Sequence, residues 1–238
     1  MSHLKGQVAL VTGGSSGIGF SIASALIEEG MVVAMMARDA KRLEKAAAQL
    51  RDAGGEVIAL PGDVSKAEAV KRFVQEVVDE KGRIDLLVNN AGIYINGAID
   101  TLSESDWDAV QNINLKGAFL CTQAVLPIMR KRQSGYVINI SSVAGKMGFG
   151  EASAYCASKF GMMALTESLL EEAVGDHIRS TAICPGYVAT PMVAAVDIPQ
   201  EEMIPPGDIA LLVKDLLHLS KQTIIKELVV NRTSAIDG

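Results

Sequence analysis

The stretch Val8-Ala9-Leu10-Val11-Thr12-Gly13-Gly14-Ser15-Ser16-Gly17-Ile18-Gly19 decides how the rest of the chain is read. Val8 to Thr12 is an apolar run without polar alternation, the pattern of a strand buried on both faces. The glycines that follow permit backbone angles closed to other residues and leave no Cβ between the turn and an approaching ligand. A helix read from Gly17 to Gly30 then aims its unpaired N–H groups and positive dipole end at an anion such as a pyrophosphate. A glycine cluster by itself is also what any tight strand-to-helix turn needs. Its place after the first strand of a strand–helix–strand pattern favours the nucleotide site.

Outward from this turn, short apolar runs alternate with amphipathic segments. Further strands are predicted over Val32–Ala37, Glu56–Leu60, Ile84–Val88, Tyr136–Ile140, Ser180–Cys184 and Glu227–Asn231. Helices are predicted over Asp39–Ala53, Ser65–Lys81, Ala152–Val174 and Gly207–Leu219. A longer helical stretch runs from Ser103 to about Arg132, bent near Lys116-Gly117 and again near Pro127. Ser65 with Glu68 three positions on reads as a capping box. Strand–helix repetition with right-handed crossovers predicts an α/β fold: a single-domain, doubly wound (Rossmann) parallel sheet of about seven strands with helices on both faces. No repeat or linker divides residues 1–238. The segment with loop composition is Gly186–Pro206, which holds four of the seven prolines.

Composition narrows the function classes. Hydrophobic residues make up 49% and charged residues 21%, as in a globular chain with a large core. The formal charge of −6, with no run of Lys or Arg, argues against nucleic-acid binding through phosphates. Cys121, Cys156 and Cys184 form neither a CxxC pair nor a metal set with His3, His177 and His218. Reduced thiols, no metal and a reducing compartment are therefore expected. The first residues lack the apolar core of a signal peptide, and no run of 18 apolar residues exists, so no membrane span is expected and the cytoplasm is the expected location.

Tyr155 and Lys159 stand four apart in a helical segment and so share one face. Ser142 lies just beyond the fifth strand, at the carboxyl end of the sheet where ligands of such folds sit. Reducing a ketone by hydride leaves an alkoxide that needs a proton from an acid within reach. A free phenol titrates near pH ~10, and an adjacent ammonium favours its ionised form. A packed aromatic beside a solvated lysine is the plain alternative for this pair, and a helix-bend hydrogen bond is the plain alternative for Asn114. Cys156, one residue from Tyr155, points about 100° around the helix and reads as packing. Ser141 competes with Ser142 for the substrate oxygen.

Thr12-Gly13-Gly14-Ser15-Ser16-Gly17-Ile18-Gly19, Asn89-Asn90-Ala91-Gly92, Asn114, Ser142, Tyr155, Lys159 and Pro185-Gly186 occur in that order. The ordered set resembles the short-chain dehydrogenase/reductase family from about Lys5 to the end of the chain, in particular members of the 3-oxoacyl-carrier-protein reductase kind. The resemblance implies that Ser142, Tyr155 and Lys159 are catalytic, with Ser142 favoured over Ser141 by its spacing. It implies that Lys159 also holds the nicotinamide ribose and that Asn114 supports a water continuing the proton path. The implied cofactor residues are Gly13, Ser15, Ser16, Gly17, Ile18, Gly19, Arg38, Asp63, Val64, Asn90, Ala91, Gly92, Pro185, Gly186, Val188 and Thr190, besides Tyr155 and Lys159. Asp63 would meet the adenine amino group, and Thr190 and the Val188 backbone the nicotinamide carboxamide.

Arg38 at the end of the second strand favours NADP, since a guanidinium pairs with a 2′-phosphate, and NAD is the alternative. Asp39 beside it would either cap the next helix or pair with Arg38; Arg42 is a second candidate cation. By resemblance a substrate lid spans about 186–206. Its apolar and acidic side chains suit an apolar carbonyl substrate. A 3-oxoacyl thioester on an acidic acyl-carrier protein is a candidate substrate, with Arg130, Lys131 and Arg132 as docking residues. The other readings are a secondary-alcohol or polyol dehydrogenase using NAD, and a non-enzymatic cofactor-sensing regulator. By resemblance, the long helices near 103–132 and 152–174 build a dimer interface within a homotetramer, or failing that a homodimer, and the segments Lys221–Lys226 and Ser234–Gly238 depart from the family pattern.

Overall fold

In the computed structural model, which describes residues 3–235, seven strands pair in parallel. They are β1 (Val8–Thr12), β2 (Val32–Ala37), β3 (Val57–Pro61), β4 (Leu86–Asn89), β5 (Gly135–Ile140), β6 (Ile178–Pro185) and β7 (Glu227–Val230). They form one sheet in the order β3-β2-β1-β4-β5-β6-β7. The register runs Val8 to Val32 on one side of β1 and Ala9 to Leu86 on the other. β1 lies inside the sheet and has helices on both faces, which is why its residues are buried without alternation.

The helices are α1 (Gly17–Glu28), α2 (Ala40–Asp52), α3 (Ala67–Lys81), α4 (Glu104–Val110), α5 (Gly117–Arg132), α6 (Ser153–Ala173) and α7 (Pro206–His218). Two apolar layers result. Ala9, Val11, Val33 and Met35 point to the layer of Ile22, Leu26, Leu43, Leu50, Ile209 and Val213. Val8, Leu10, Val32 and Ala34 point to that of Val70, Phe73, Val77, Cys121, Val125 and Leu169. The side-chain period of two therefore sends neighbouring residues of one strand into opposite cores.

Two local expectations change. The capping box at Ser65 is not formed. Asp63 instead takes the Ser65 N–H on Oδ1 at 2.9 Å, an Asx turn that delays the helix until Ala67, while Glu68 pairs with Lys71. Between α4 and α5 the chain makes a π-helical turn, Gln111–Lys116, so the irregularity read at Lys116-Gly117 begins earlier. α5 continues past Pro127, where a bend was expected, to Arg132, and its last turn ends in a left-handed Gln133. The C-terminal departure falls partly on residues 236–238, outside the described residues.

Arg130 and Arg132, read as docking residues near the site entrance, lie elsewhere. The crossover from β4 to β5 brings the end of α5 back to the amino end of the sheet. There Arg130 pairs with Asp176 at 3.0 Å and Arg132 with Asp85 at 3.7 Å. Asp85 itself precedes β4 and accepts the Val8 N–H at the start of β1. The mouth of this chain's own cleft is at the opposite end.

The three cysteines are free and buried, and burial pushes the Cys121 thiol up to about 12. Among the described residues there is no cluster of three or more metal-capable side chains, and no helix is long and apolar enough to cross a membrane.

Candidate active site

The strand order reverses between β1 and β4, so the loops leaving their carboxyl ends diverge and open a crevice. Both loops are tied together at its floor. Thr12 Oγ1 accepts the N–H groups of Asn90 and Ala91, each at 3.0 Å. The Asn90 amide donates back to the carbonyls of Thr12 at 3.0 Å and Gly13 at 3.3 Å.

This tie changes what the glycines are for. A Cβ on Gly19 would sit 2.4 Å from both Asn90 Nδ2 and the Gly13 carbonyl oxygen, and one on Gly13, at φ +67, 2.9 Å from Asn90 Nδ2. These two glycines make room for Asn90, and Gly13 also lines the cleft. Gly17, at φ +54, faces the cleft, where a Cβ would press on Thr190.

The crevice is a cavity of about 860 Å³. Arg38, Arg42, Asp63 and Val64 line one end; the turn of Gly13 and Ser15 to Ile18 and the loop of Asn90 to Gly92 line the middle. Ser142, Tyr155, Lys159, Pro185, Gly186, Val188 and Thr190 line the other end. Of the candidate residues, Gly19 and Asn114 lie outside the lining.

The residues suit a dinucleotide. Ser16 precedes α1 without capping it through its side chain, and no acidic residue stands in the first turn. The helix start therefore presents unpaired N–H groups and no negative charge to the cleft. Asp39 accepts the Arg42 N–H at 3.0 Å as the cap of α2, and that hydrogen bond holds its carboxyl below the ordinary range. The aspartate is thus turned to α2, and Arg38 makes no ion pair among the described residues. One oxygen of Asp63 is spent on Ser65, leaving the other for a ligand.

At the reaction end, Tyr155 packs on Ala144, Ala152 and Cys156, the last in the packing role its helical angle implies. Burial pushes the phenol up to about 12, opposed by its hydrogen bond with the Ser142 hydroxyl and reinforced by Cys156 and Tyr94. Lys159 Nζ lies 5.5 Å from the Tyr155 ring centre and donates to the Ile140 carbonyl at 2.8 Å. Burial brings this lysine down to about 8. The drop expected beside an ammonium is not seen: burial is the largest influence on the phenol, and Tyr155 keeps its proton at neutral pH. Ser141 donates to the Lys159 carbonyl at 3.2 Å, so its hydroxyl is committed to α6, while the Ser142 hydroxyl is the one that acts on the phenol and lowers its pKa.

Asn114, read as catalytic, is fully buried with its side chain engaged. Oδ1 accepts the Ile93 N–H at 2.8 Å, and Nδ2 donates to the Ile93 carbonyl at 2.9 Å and to Ser158 Oγ at 3.1 Å. Ser158 in turn donates to the Tyr155 carbonyl at 2.7 Å. The π-helical turn delivers Asn114 to this position, where it braces the β4 loop against α6 outside the cleft.

Sequence reasoning passed over Thr12, whose hydroxyl joins the two loops, and Tyr94. The Tyr94 ring meets that of Tyr155 edge-on, with centres 5.2 Å and planes 84° apart. The available signal was its position, an aromatic just after Gly92 at the carboxyl end of β4.

Comparison with known proteins agrees with this geometry. A family model described as short chain dehydrogenase matches residues 7–201. A 3-oxoacyl-[acyl-carrier-protein] reductase of Synechocystis sp. is 41% identical over 193 residues, 81% of this chain and 78% of the relative. Sepiapterin reductase of Chlorobaculum tepidum is 35% identical and spans 96% of this chain and 97% of its own. The crystal structure of a metagenomic short-chain oxidoreductase in complex with NADP superposes with a TM-score of 0.86 at 37% identity, covering 98% of this chain and 99% of that one. On these grounds, the chain belongs to the short-chain dehydrogenase/reductase family of oxidoreductases.

Proposed function

We propose that the protein is an NADPH-dependent carbonyl reductase that converts a ketone or 3-oxoacyl thioester to the secondary alcohol, with Tyr155 as the acid. The observation that carries this reading is one cleft with an unpaired Arg38 at one end and Ser142, Tyr155 and Lys159 together at the other. A phenol raised to about 12 is protonated at neutral pH, as an acid that quenches an alkoxide must be. The NADP complex of the metagenomic relative supports the cofactor choice.

In this reading Arg38 and Arg42 hold the 2′-phosphate, and the N–H groups of Ser15 to Ile18 hold the pyrophosphate. Asp63 and Val64 bind the adenine; Pro185, Gly186, Val188 and Thr190 border the nicotinamide, with Asn90, Ala91 and Gly92 behind it. Bound NADPH supplies the hydride. Ser142 orients the substrate oxygen, Tyr155 gives it a proton, and Lys159 holds the ribose and the positive charge beside the phenol. Asn114 is a positioning residue that keeps the β4 loop on α6. The segment 186–206, with 3-10 turns at Pro191–Val193 and Gln200–Glu202, serves as the substrate lid of a single domain.

Exposed Phe119 and Phe160 on α5 and α6, and Val229 on the edge strand β7, support a homodimer or homotetramer. Free thiols suit the reducing cytoplasm. The test is cofactor consumption across ketones, diketones and 3-oxoacyl thioesters, free and carrier-bound. NADPH should exceed NADH in kcat/KM by about tenfold or more, one charge-assisted contact to the 2′-phosphate being worth that much. Equal use of both, or oxidation of alcohols with no reduction, overturns the reading.

A further inference from the structure

The loop from Ile93 to Gly97 is fastened at both ends and carries an aromatic ring between. At one end the Asn114 side chain takes both the N–H and the carbonyl of Ile93. At the other, the Gly97 N–H donates to the Glu151 carbonyl at 2.9 Å, and Gly97 pairs with Ala152 in an isolated bridge. Between these anchors Tyr94 donates its hydroxyl to Asn96 Oδ1 at 3.0 Å, and Asn96 Nδ2 donates to Glu151 Oε2 at 3.3 Å. Glu151 holds φ +57, a left-handed conformation that a residue with a Cβ adopts only where its surroundings impose it.

The ring so held stands in the cleft against Tyr155, yet is 42% exposed. A core aromatic would be covered by its own chain, and an idle surface aromatic would not be latched through two side chains to a strained residue. What the geometry leaves open is part of an aromatic ring beside the group that protonates the substrate.

Resting on the carbonyl-reductase reading above, we propose that Tyr94 is a specificity-determining residue whose ring forms the wall for the flat ring of an aryl ketone, held there by the Asn96–Glu151 latch. A ketone with its oxygen at Ser142 and Tyr155 carries its substituents into the same cleft that Tyr94 lines. An aromatic substituent pairs with that ring by stacking or edge contact, which a short alkyl group cannot do. Tyr94 and its latch thus grade substrates by ring content, while Ser142 and Tyr155 act on any carbonyl.

The test compares kcat/KM of the NADPH-loaded enzyme for acetophenone and for butanone in the wild type, Y94A, Y94F and N96A. Y94A should lower kcat/KM for acetophenone roughly ten- to a hundredfold, the loss of one buried ring contact, and that for butanone less than threefold. Y94F and N96A, which keep the ring but cut the latch, should raise KM for acetophenone a few-fold with kcat preserved. Equal losses on both ketones in Y94A, or none on either, overturn the proposal. Saturation-transfer NMR of acetophenone on cofactor-loaded protein reads binding without turnover. If the wild type reduces no carbonyl, the reductase reading fails by itself. In that case a signal lost in Y94A still supports the Tyr94 wall, and an unchanged signal overturns it.

Discussion

Replacing Lys159 by methionine removes a cation that is almost wholly buried at the wall of the cleft. Lys159 is 4% exposed, and burial lowers it from an ordinary 10.5 to about 8. A group that holds its proton less tightly in the folded chain costs stability in full below pH 8. That cost is relieved as pH rises from about 8 towards 10.5, where the unfolded chain binds a proton the folded chain has lost. At 1.36 kcal/mol per pH unit, the lowering from 10.5 to about 8 amounts to about 3 kcal/mol. Methionine replaces the stem as far as Cε without the charge, but leaves the Ile140 carbonyl without the Nζ donor, a loss of about 1–2 kcal/mol. K159M should therefore be more stable than the wild type by about 1–2 kcal/mol at pH 7.

The pH dependence separates this from mere repacking. Urea unfolding of the cofactor-free chain at pH 7, 8, 9 and 10, at one protein concentration, gives the two stabilities. Cys121, Cys184 and Tyr155 have thiols or a phenol raised chiefly by burial, and their contributions fall as pH rises through the alkaline range. Cys121 acts alike in both proteins and cancels, so the difference reads Lys159 together with its coupling to its neighbours Cys184 and Tyr155. The advantage of K159M should shrink by about 2–3 kcal/mol between pH 8 and 10 and change sign. A difference that stays constant with pH refutes a desolvated, charged Lys159.

Arg38→Asp should reverse the cofactor preference from NADPH to NADH, by about tenfold or more in kcat/KM, because it replaces the free cation with an anion that repels a 2′-phosphate. Steady-state rates with both cofactors check this. Gly19→Ala should destabilise the fold by about 1–3 kcal/mol through overpacking against Asn90 and the Gly13 carbonyl, and should weaken cofactor binding in step. Calorimetry and cofactor fluorescence titration read the two effects. A G19A protein as stable as the wild type contradicts the role given to Asn90.

Much of the fold was legible because burial on both faces leaves a direct mark. Val32–Ala37 reads as a strand with the bounds the structure has, since residues facing both cores must be apolar. The convergence of Ser142, Tyr155 and Lys159 on one cleft follows from the rule of strand carboxyl ends together with a one-turn helical spacing. Features set by competition between local hydrogen bonds were not legible. Ser65 carries a capping-box pattern, but Asp63 captured its N–H first. Gly13 and Gly19 look like ligand glycines, yet the residue that needs their space, Asn90, lies far along the chain. The phenol's rise instead of its fall is a matter of desolvation, which spacing does not reveal. Tyr94 belongs to no motif and shows its importance only in contact with Tyr155.

The central claim is that Tyr155 supplies the proton. Tyr155→Phe keeps the ring on Ala144, Ala152 and Cys156 and removes only the hydroxyl. With NADPH and the best carbonyl substrate found, kcat should fall by about a hundredfold to ten-thousandfold, the usual contribution of a positioned acid, while the dissociation constant for NADPH changes less than a few-fold. Turnover within tenfold of the wild type, at unchanged cofactor affinity, would contradict the account.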